Sequence, residues 1–115
     1  MADPQSNARN GLHYLDANRV EHMSGVEVCS RSNQRFGEID GFLIDRKTKR
    51  LEYFVVESSN ERCLLKADKP AVLDVEERKL RVEADAADLE HLTARSGQRP
   101  SDEDLIAATH RFQAA

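Results

Sequence analysis

The sequence is short of the residues that would mark several classes of protein. Among its 115 residues there are two cysteines, three prolines, five glycines and no tryptophan. Two cysteines are too few for the disulfide framework of a small secreted domain. No apolar run approaches the length that spans a bilayer. The N-terminus has no basic segment followed by an apolar one, so we expect a cytoplasmic protein.

The charge balance argues against a general nucleic-acid binder. The formal net charge is −4, whereas proteins that bind nucleic-acid phosphates usually carry a basic patch and a high pI. Hydrophobic residues make up 39% of the chain and charged residues 33%, which is typical of one folded domain with a modest core. We divide the chain into a flexible N-terminal tail (1–18), a domain (19–95), and a linker with an amphipathic C-terminal helix (96–115).

The central part of the chain has the pattern of short β-strands. The segment 51–56 is the strongest of them, and its alternation places Tyr53 and Val55 on one face and Phe54 and Val56 on the other. The continuous apolar run 42–44 is typical of a strand covered on both faces. Polar turns separate such segments from residue 26 to residue 84, which predicts a small sheet sandwich or barrel.

Helix is expected only near the C-terminus. The segment 85–92 predicts a turn or two, and Ser101 followed by Asp104 predicts a capped helix that runs to Phe112. An isolated helix of about twelve residues is marginal in water, so its apolar stripe must dock on something. Its own barrel, a partner protein or a second copy could receive the stripe. We expect a partner or a second copy, because the family resemblance described below ends at Leu92 and implies that the core is complete there.

The order and spacing of the strands also carry a family resemblance. The sequence runs through Val26-x-Val28, Gly37-Glu38-Ile39, Phe42-Leu43-Ile44-Asp45, Leu51-x-Tyr53-Phe54-Val55-Val56, Cys63-Leu64-Leu65, Val72-Leu73-Asp74-Val75-Glu76 and Leu80-x-Val82. Over about 25–92 this resembles the PRC-barrel family, which includes the reaction-centre H subunit and the C-terminal domain of the ribosome maturation factor. The resemblance implies a mainly β fold, a small antiparallel barrel of about six strands with C-terminal helical segments.

The same resemblance implies a function. PRC-barrels act as adaptors or accessory domains, so we expect a non-enzymatic protein-interaction or assembly module. The alternatives are a ribosome-assembly or RNA-processing accessory protein, and a soluble accessory subunit of a membrane complex of the photosynthetic type. A homodimer is a further possibility, because a barrel that does not fully close keeps strand edges that can pair. Lys49 stands where the family usually has glycine, which predicts a left-handed backbone at that position.

No set of residues has the spacing of a catalytic or metal site. His13, Asp16 and His22 offer metal-ligating atoms, but without helical i, i+4 spacing or a CxxC motif they are better explained as surface residues. Cys29 and Cys63 lie in apolar strands and are expected to be buried thiols. Pairing either cysteine with a distant histidine has no supporting signature. We therefore expect no catalytic residues, no metal and no cofactor.

One basic cluster remains as a candidate contact site. Four cations surround Thr48 on the predicted first hairpin, where they could bind phosphate or an acidic protein surface, although a solvated turn is the simpler explanation. With the apolar stripe of the C-terminal helix, the possible partner-binding residues are Arg46, Lys47, Lys49, Arg50, Leu105, Ala108 and Phe112. Nucleic acid is not an expected partner, and neither is direct membrane insertion.

Overall fold

The fold is mainly β with one C-terminal helix, as expected. A computed structural model describes residues 11–58, 61–92 and 100–114, with side chains described as far as residue 109. The strands are β1 (Leu12–Asp16), β2 (Glu27–Ser30), β3 (Arg35–Asp45), β4 (Leu51–Ser58), β5 (Glu61–Lys66), β6 (Ala71–Asp74), β7 (Lys79–Val82) and β8 (Glu90–Leu92). The helix α1 spans Asp102–Ala114, and short 3-10 turns lie at Ala17–Arg19 and Ala86–Asp88.

The strands form one sheet that has two ends. Its order is β6-β7-β2-β3-β4-β5-β8, and β1 pairs with the C-terminal half of β3 beside β2. All neighbours are antiparallel except β2 and β7, which run parallel. Over the described residues the sheet is not closed, because β6 and β8 stand at opposite ends of this order.

The mainly β fold was expected, but the small barrel of about six strands was wrong in two respects, the barrel itself and the number of strands. The described residues form eight strands, and the two additional ones come from segments that we expected to be a flexible tail and a helical turn. Leu12–Asp16 lies in the expected flexible tail but pairs with β3, and Glu90–Leu92 lies in the expected helical turn but pairs with β5. Both pairings join residues far apart in sequence, and the alternation within such short segments is too brief to show them.

Two glycines allow β3 to bend where other strands approach it closely. A Cβ atom at Gly37 would lie 2.4 Å from the carbonyl oxygen of Glu57, and one at Gly41 would lie 2.5 Å from that of Leu15. The register also shifts between Ile39 and Gly41, which leaves Asp40 as the extra residue of a β-bulge.

The sheet separates two hydrophobic cores. The alternation predicted for β4 is confirmed, because Phe54 and Val56 lie in the first core whereas Tyr53 and Val55 lie in the second. The first core also contains residues from β2, β3, β5 and β7: Val28, Phe36, Ile39, Phe42, Cys63, Leu65, Leu80 and Val82. The second lies under α1 and contains Leu12, Leu43, Leu64, Leu105 and Ala108. The segment 42–44 is thus covered on both faces.

The C-terminal helix docks on its own sheet. Leu105 and Ala108 are fully buried in the second core, beside Leu43 and Leu64. This contradicts the expectation that these two residues bind a partner, and the core is not complete at Leu92. The face of β3, β4 and β5 that α1 covers is apolar and needs a cover.

Other expectations fall outside the described part of the chain. They concern residues 1–10 of the tail, residues 93–95 at the end of the domain, residues 96–99 of the linker, and the side chain of Phe112. Within the described ranges, α1 is too short and too polar to cross a membrane, and no other helix could do so.

Candidate functional site

The β3–β4 hairpin holds the four cations that the sequence analysis singled out. Asp45 organises its turn, because its Oδ1 accepts hydrogen bonds from the backbone N–H groups of Lys47 (2.8 Å) and Thr48 (3.1 Å). These two hydrogen bonds lower the pKa of the Asp45 carboxyl, and the bond from Thr48 has the larger effect on it. Lys49 has a φ of 63°, so the left-handed backbone predicted there is confirmed.

The cations of this hairpin are exposed and form no close ion pair among the described residues, although Lys47 interacts electrostatically with the Asp45 carboxylate. Arg46, Lys47, Lys49 and Arg50 are all exposed, and within the described residues none of them lies within 4 Å of a carboxylate. Other exposed arginines are paired, such as Arg31 with Glu83 at 3.3 Å. The structure therefore concentrates free positive charge at one tip of a protein whose net charge is −4.

A second candidate lies where β5 meets β8, and it contains a cysteine–histidine pair of the kind that the sequence analysis set aside for lack of a motif. Cys63 stands directly opposite His91 in the strand register, and Glu61 precedes Cys63 by two residues on the same face. The Nδ1 atom of His91 lies 3.3 Å from the Sγ of Cys63 and 2.9 Å from Oε1 of Glu61. In the described part of the chain this is the only group of three such residues with converging donor atoms, so His13, Asp16 and His22 do not form one.

The three side chains differ in exposure. Cys63 is buried in the first core, as expected for both cysteines, whereas His91 is exposed and Glu61 is partly exposed. Burial, with a smaller contribution from the charge of Glu61, raises the pKa of Cys63 to about 11. The thiol is therefore protonated at neutral pH, and its sulfur is shielded from solvent.

This cluster does not have the geometry of a nucleophilic triad. In such a triad the acid holds one imidazole nitrogen while the other nitrogen faces the nucleophile. Here Glu61 and Cys63 both approach Nδ1 of His91. A buried thiol of raised pKa also lacks the thiolate that would attack a substrate.

Sequence reasoning missed this cluster because its histidine arrives through a distant strand pair. Cys63 and His91 are 28 residues apart and share no motif. The only local signal is the spacing of Glu61 and Cys63, whose i, i+2 positions point to one face of a strand. Nothing in the segment 85–92, expected to be helical, placed His91 opposite Cys63.

On the opposite face of β5, Arg62 forms a buried polar network. Its guanidinium donates to the Asp40 carboxylate (Nε–Oδ2 3.1 Å, with a second bond from Nη2), to the Pro100 carbonyl (3.0 Å) and to Asp102 Oδ1 (2.9 Å). Tyr14 donates to Asp40 Oδ2 at 2.7 Å, and the Arg62 guanidinium lies 5.0 Å from the centroid of the Tyr14 ring. The network joins β1, β3 and β5 to the start of α1.

The titration behaviour of this network follows from its contacts. Burial alone would lower the pKa of Arg62, but the hydrogen bonds that it donates to Asp102 and Asp40 outweigh burial and raise that pKa. Burial and the hydrogen bond to Asp40 raise the pKa of Tyr14. Arg62 remains charged and Tyr14 neutral, and both are bound to protein partners, so we assign the network a role in holding the fold.

A groove also lies near the open side of the sheet. It has a volume of about 300 Å³ and is lined by charges of both signs, among them Lys66, Lys69, Glu83, Asp88 and Glu90. The lining mixes these charges with Tyr53, Leu65 and two alanines, whereas a small-molecule site is mostly apolar with a few placed polar groups.

No protein-family model matches the sequence, and no curated protein matches it significantly.

Proposed function

We propose that this chain is a non-enzymatic protein-interaction or assembly module that binds an acidic protein surface through the β3–β4 hairpin. The observation that carries the proposal is the free charge of Arg46, Lys47, Lys49 and Arg50 on a net acidic chain. Exposed cations that form no close ion pair within their own chain are available to steer and orient a partner of opposite charge.

The scaffold supports a fixed presentation of these charges. The hairpin joins the two longest strands of the sheet, β3 and β4, and both strands are anchored in the two cores. The Asp45 hydrogen bonds and the backbone bond from Lys49 N–H to the Asp45 carbonyl, at 2.8 Å, restrain the tip. A restrained tip loses little conformational entropy on binding, which favours affinity.

A protein partner fits better than RNA. Binding to single-stranded RNA usually combines positive charge with exposed aromatic rings on which bases stack. The aromatic residues of β3 and β4, Phe36, Phe42, Tyr53 and Phe54, are all buried. The net charge of −4 also opposes long-range attraction of a polyanion.

The relation to PRC-barrels remains part of this proposal. It rests on the order of strand and turn residues along 25–92 and on the glycine-like backbone of Lys49. An adaptor role follows from that resemblance by analogy. The sheet is not closed into a barrel, and within the described ranges one edge of β6 is unpaired and carries the exposed Val72, which supports pairing with another chain.

Affinity capture from native lysate tests the proposal. The wild-type chain is compared with a hairpin variant (Arg46→Ala, Lys47→Ala, Lys49→Gly and Arg50→Ala). A matched control removes four exposed cations elsewhere: Arg19→Ala, Arg31→Ala, Lys66→Ala and Lys69→Ala. Both variants change the net charge by the same amount, so a difference between them reports the position of the charge.

We expect the wild type and the control to capture a protein with an acidic surface, and the hairpin variant not to capture it. Once purified, that protein should bind the wild type and the control directly. The binding should weaken with added salt. Retention of RNA but no protein on the wild type, lost in the hairpin variant, would favour the RNA-processing alternative. Equal capture by all three chains would overturn the proposal.

A further inference from the structure

We propose that Glu61, Cys63 and His91 bind a divalent transition-metal ion of the zinc class, with a carboxylate oxygen, Sγ and Nδ1 as ligands. This reverses the expectation of no metal, which was drawn from sequence spacing alone. It is independent of the hairpin and of the function proposed for it.

The distances between the donor atoms fit one ion. Zinc binds cysteine sulfur at about 2.3 Å and histidine nitrogen or carboxylate oxygen at about 2.0–2.2 Å, so two donors on a tetrahedral ion stand roughly 3.3–3.6 Å apart. The Sγ–Nδ1 distance is 3.3 Å and the Nδ1–Oε1 distance is 2.9 Å. All three donor atoms lie within 4.8 Å of one another. Small side-chain rotations are enough to place an ion among them.

The donor chemistry points to the same conclusion. Both the Cys63 sulfur and a Glu61 oxygen approach Nδ1 of His91, so the three donor atoms converge on one small volume. A metal ion at their common centre would be held by a lone pair from each of the three groups. The mixture of sulfur, nitrogen and oxygen donors suits zinc or a neighbouring transition metal and is a poor match for Mg²⁺ or Ca²⁺, which prefer oxygen.

Access to the site is one-sided. Cys63 closes it from the core, whereas the exposed His91 and partly exposed Glu61 open it to solvent. An ion can therefore enter from the outer side, and water can supply a fourth ligand. Binding forms an S–metal bond and releases the thiol proton to solvent as the Cys63 thiol becomes a thiolate.

Metal binding at this position would fasten an otherwise weak end of the sheet. β8 has only three residues and pairs on one side, with β5. Because His91 of β8 lies opposite Cys63 of β5, an ion bound by both residues would link the two strands. An ion that binds the folded chain and not the unfolded chain stabilises the fold in proportion to its occupancy.

The test uses the untagged full-length chain, stripped with a chelator and titrated with Zn²⁺ and with Co²⁺. We expect one equivalent of each metal to bind, a thiolate-to-cobalt charge-transfer band in the near ultraviolet, and a higher Tm with Zn²⁺. His91→Ala should weaken Zn²⁺ binding by at least about tenfold and abolish the rise in Tm. Glu61→Gln should weaken binding as well.

Two control variants separate this site from others. Cys29→Ser removes the other buried thiol, and His22→Ala removes an exposed histidine outside the cluster, so both should bind metal as the wild type does. Cys63→Ser should remove the charge-transfer band, and because Cys63 is a core residue its folding is checked by circular dichroism. His91→Ala changes an exposed side chain and keeps the test valid if Cys63→Ser fails to fold. Absence of saturable binding, or binding that survives His91→Ala, would overturn the proposal.

Discussion

Arg62 and the cations of the β3–β4 hairpin carry the same charge in opposite surroundings. Arg62 is only 3% exposed and is bound by two carboxylates, a backbone carbonyl and an aromatic face. The hairpin cations are exposed and, among the described residues, unpaired. The charge of Arg62 therefore takes part in contacts within the fold, whereas the charges of the hairpin remain available to a partner.

The physical basis of this comparison is desolvation. A charge removed from water must recover its lost solvation from protein groups, so removal of either partner of a buried pair is costly. An exposed charge keeps its water and can be removed with little effect on stability. Substitution of Arg62 should therefore lower the stability of the fold. Substitution of the hairpin cations should instead weaken association with a partner.

The largest effect is expected for Arg62→Ala. The nearly buried Asp40 carboxylate loses its cation, and Pro100 and Asp102 at the start of α1 lose their hydrogen bonds to Arg62. We expect a loss of about 3–5 kcal/mol in the free energy of unfolding, measured by urea denaturation.

Asp102→Ala is the matched partial change, because it removes the more exposed of the two carboxylates that bind Arg62. It should cost much less, about 1 kcal/mol. A cost for Arg62→Ala no larger than that for Asp102→Ala would show that the network is solvated and does not hold the helix.

The next largest effect is expected for Leu105→Ala. Leu105 is fully buried between α1 and the sheet, so the truncation leaves a cavity in the second core. We expect a loss of about 2–5 kcal/mol in thermal or urea unfolding, without a change in oligomeric state by light scattering. Ile106→Ala, on a half-buried neighbour, should cost less. If Leu105→Ala dissociated an oligomer without a loss of stability, the helix would be a contact with a partner and not part of the core.

A smaller effect of opposite sign is expected for Lys49→Gly. Lys49 has a φ of 63°, a conformation that glycine adopts without steric cost. The variant should gain about 0.5–1 kcal/mol in the free energy of unfolding. Arg50→Gly, one residue on, serves as the control and should destabilise or leave stability unchanged, because Arg50 is not among the residues with positive φ. A lower Tm for Lys49→Gly would contradict the left-handed turn.

Asp45 links hairpin geometry to pH. Its folded-state pKa lies below the ordinary value of 3.8, chiefly because the backbone N–H groups of Thr48 and Lys47 donate to the carboxylate. The stability that it contributes is therefore complete above the ordinary pKa and is lost as pH falls through the lowered pKa. The difference in unfolding free energy between the wild type and Asp45→Asn should shrink below about pH 4. A constant difference down to about pH 2 would exclude these hydrogen bonds as its source.

The smallest effect on stability is expected for the double variant Arg46→Ala and Arg50→Ala. Neither charge is paired, so the free energy of unfolding should change by less than about 0.5 kcal/mol. The measurement is made beside Arg62→Ala under the same conditions. A large loss would mean that the hairpin cations take part in the fold, and it would remove the basis for assigning them to a partner.

The sequence by itself determined the features that depend on near neighbours. The alternation of β4 between its two faces follows from the two-residue period of a strand, and the box between Ser101 and Asp104 follows from helix capping. The same holds for Asp74, which accepts from the Glu77 N–H at 3.0 Å in its turn. These contacts span a few residues, so the residue types alone carry the information.

Only the tertiary structure decided which distant residues meet. Asp40 reaches Arg62 from a β-bulge, His91 reaches Cys63 through the pairing of β8 with β5, and Leu105 covers the sheet in place of a partner. Each contact depends on which of several similarly apolar segments pair or pack together. The local periodicity of the sequence does not decide between these arrangements. The free energy that selects one arrangement comes from burial of both sheet faces at once, and that is a property of the whole chain.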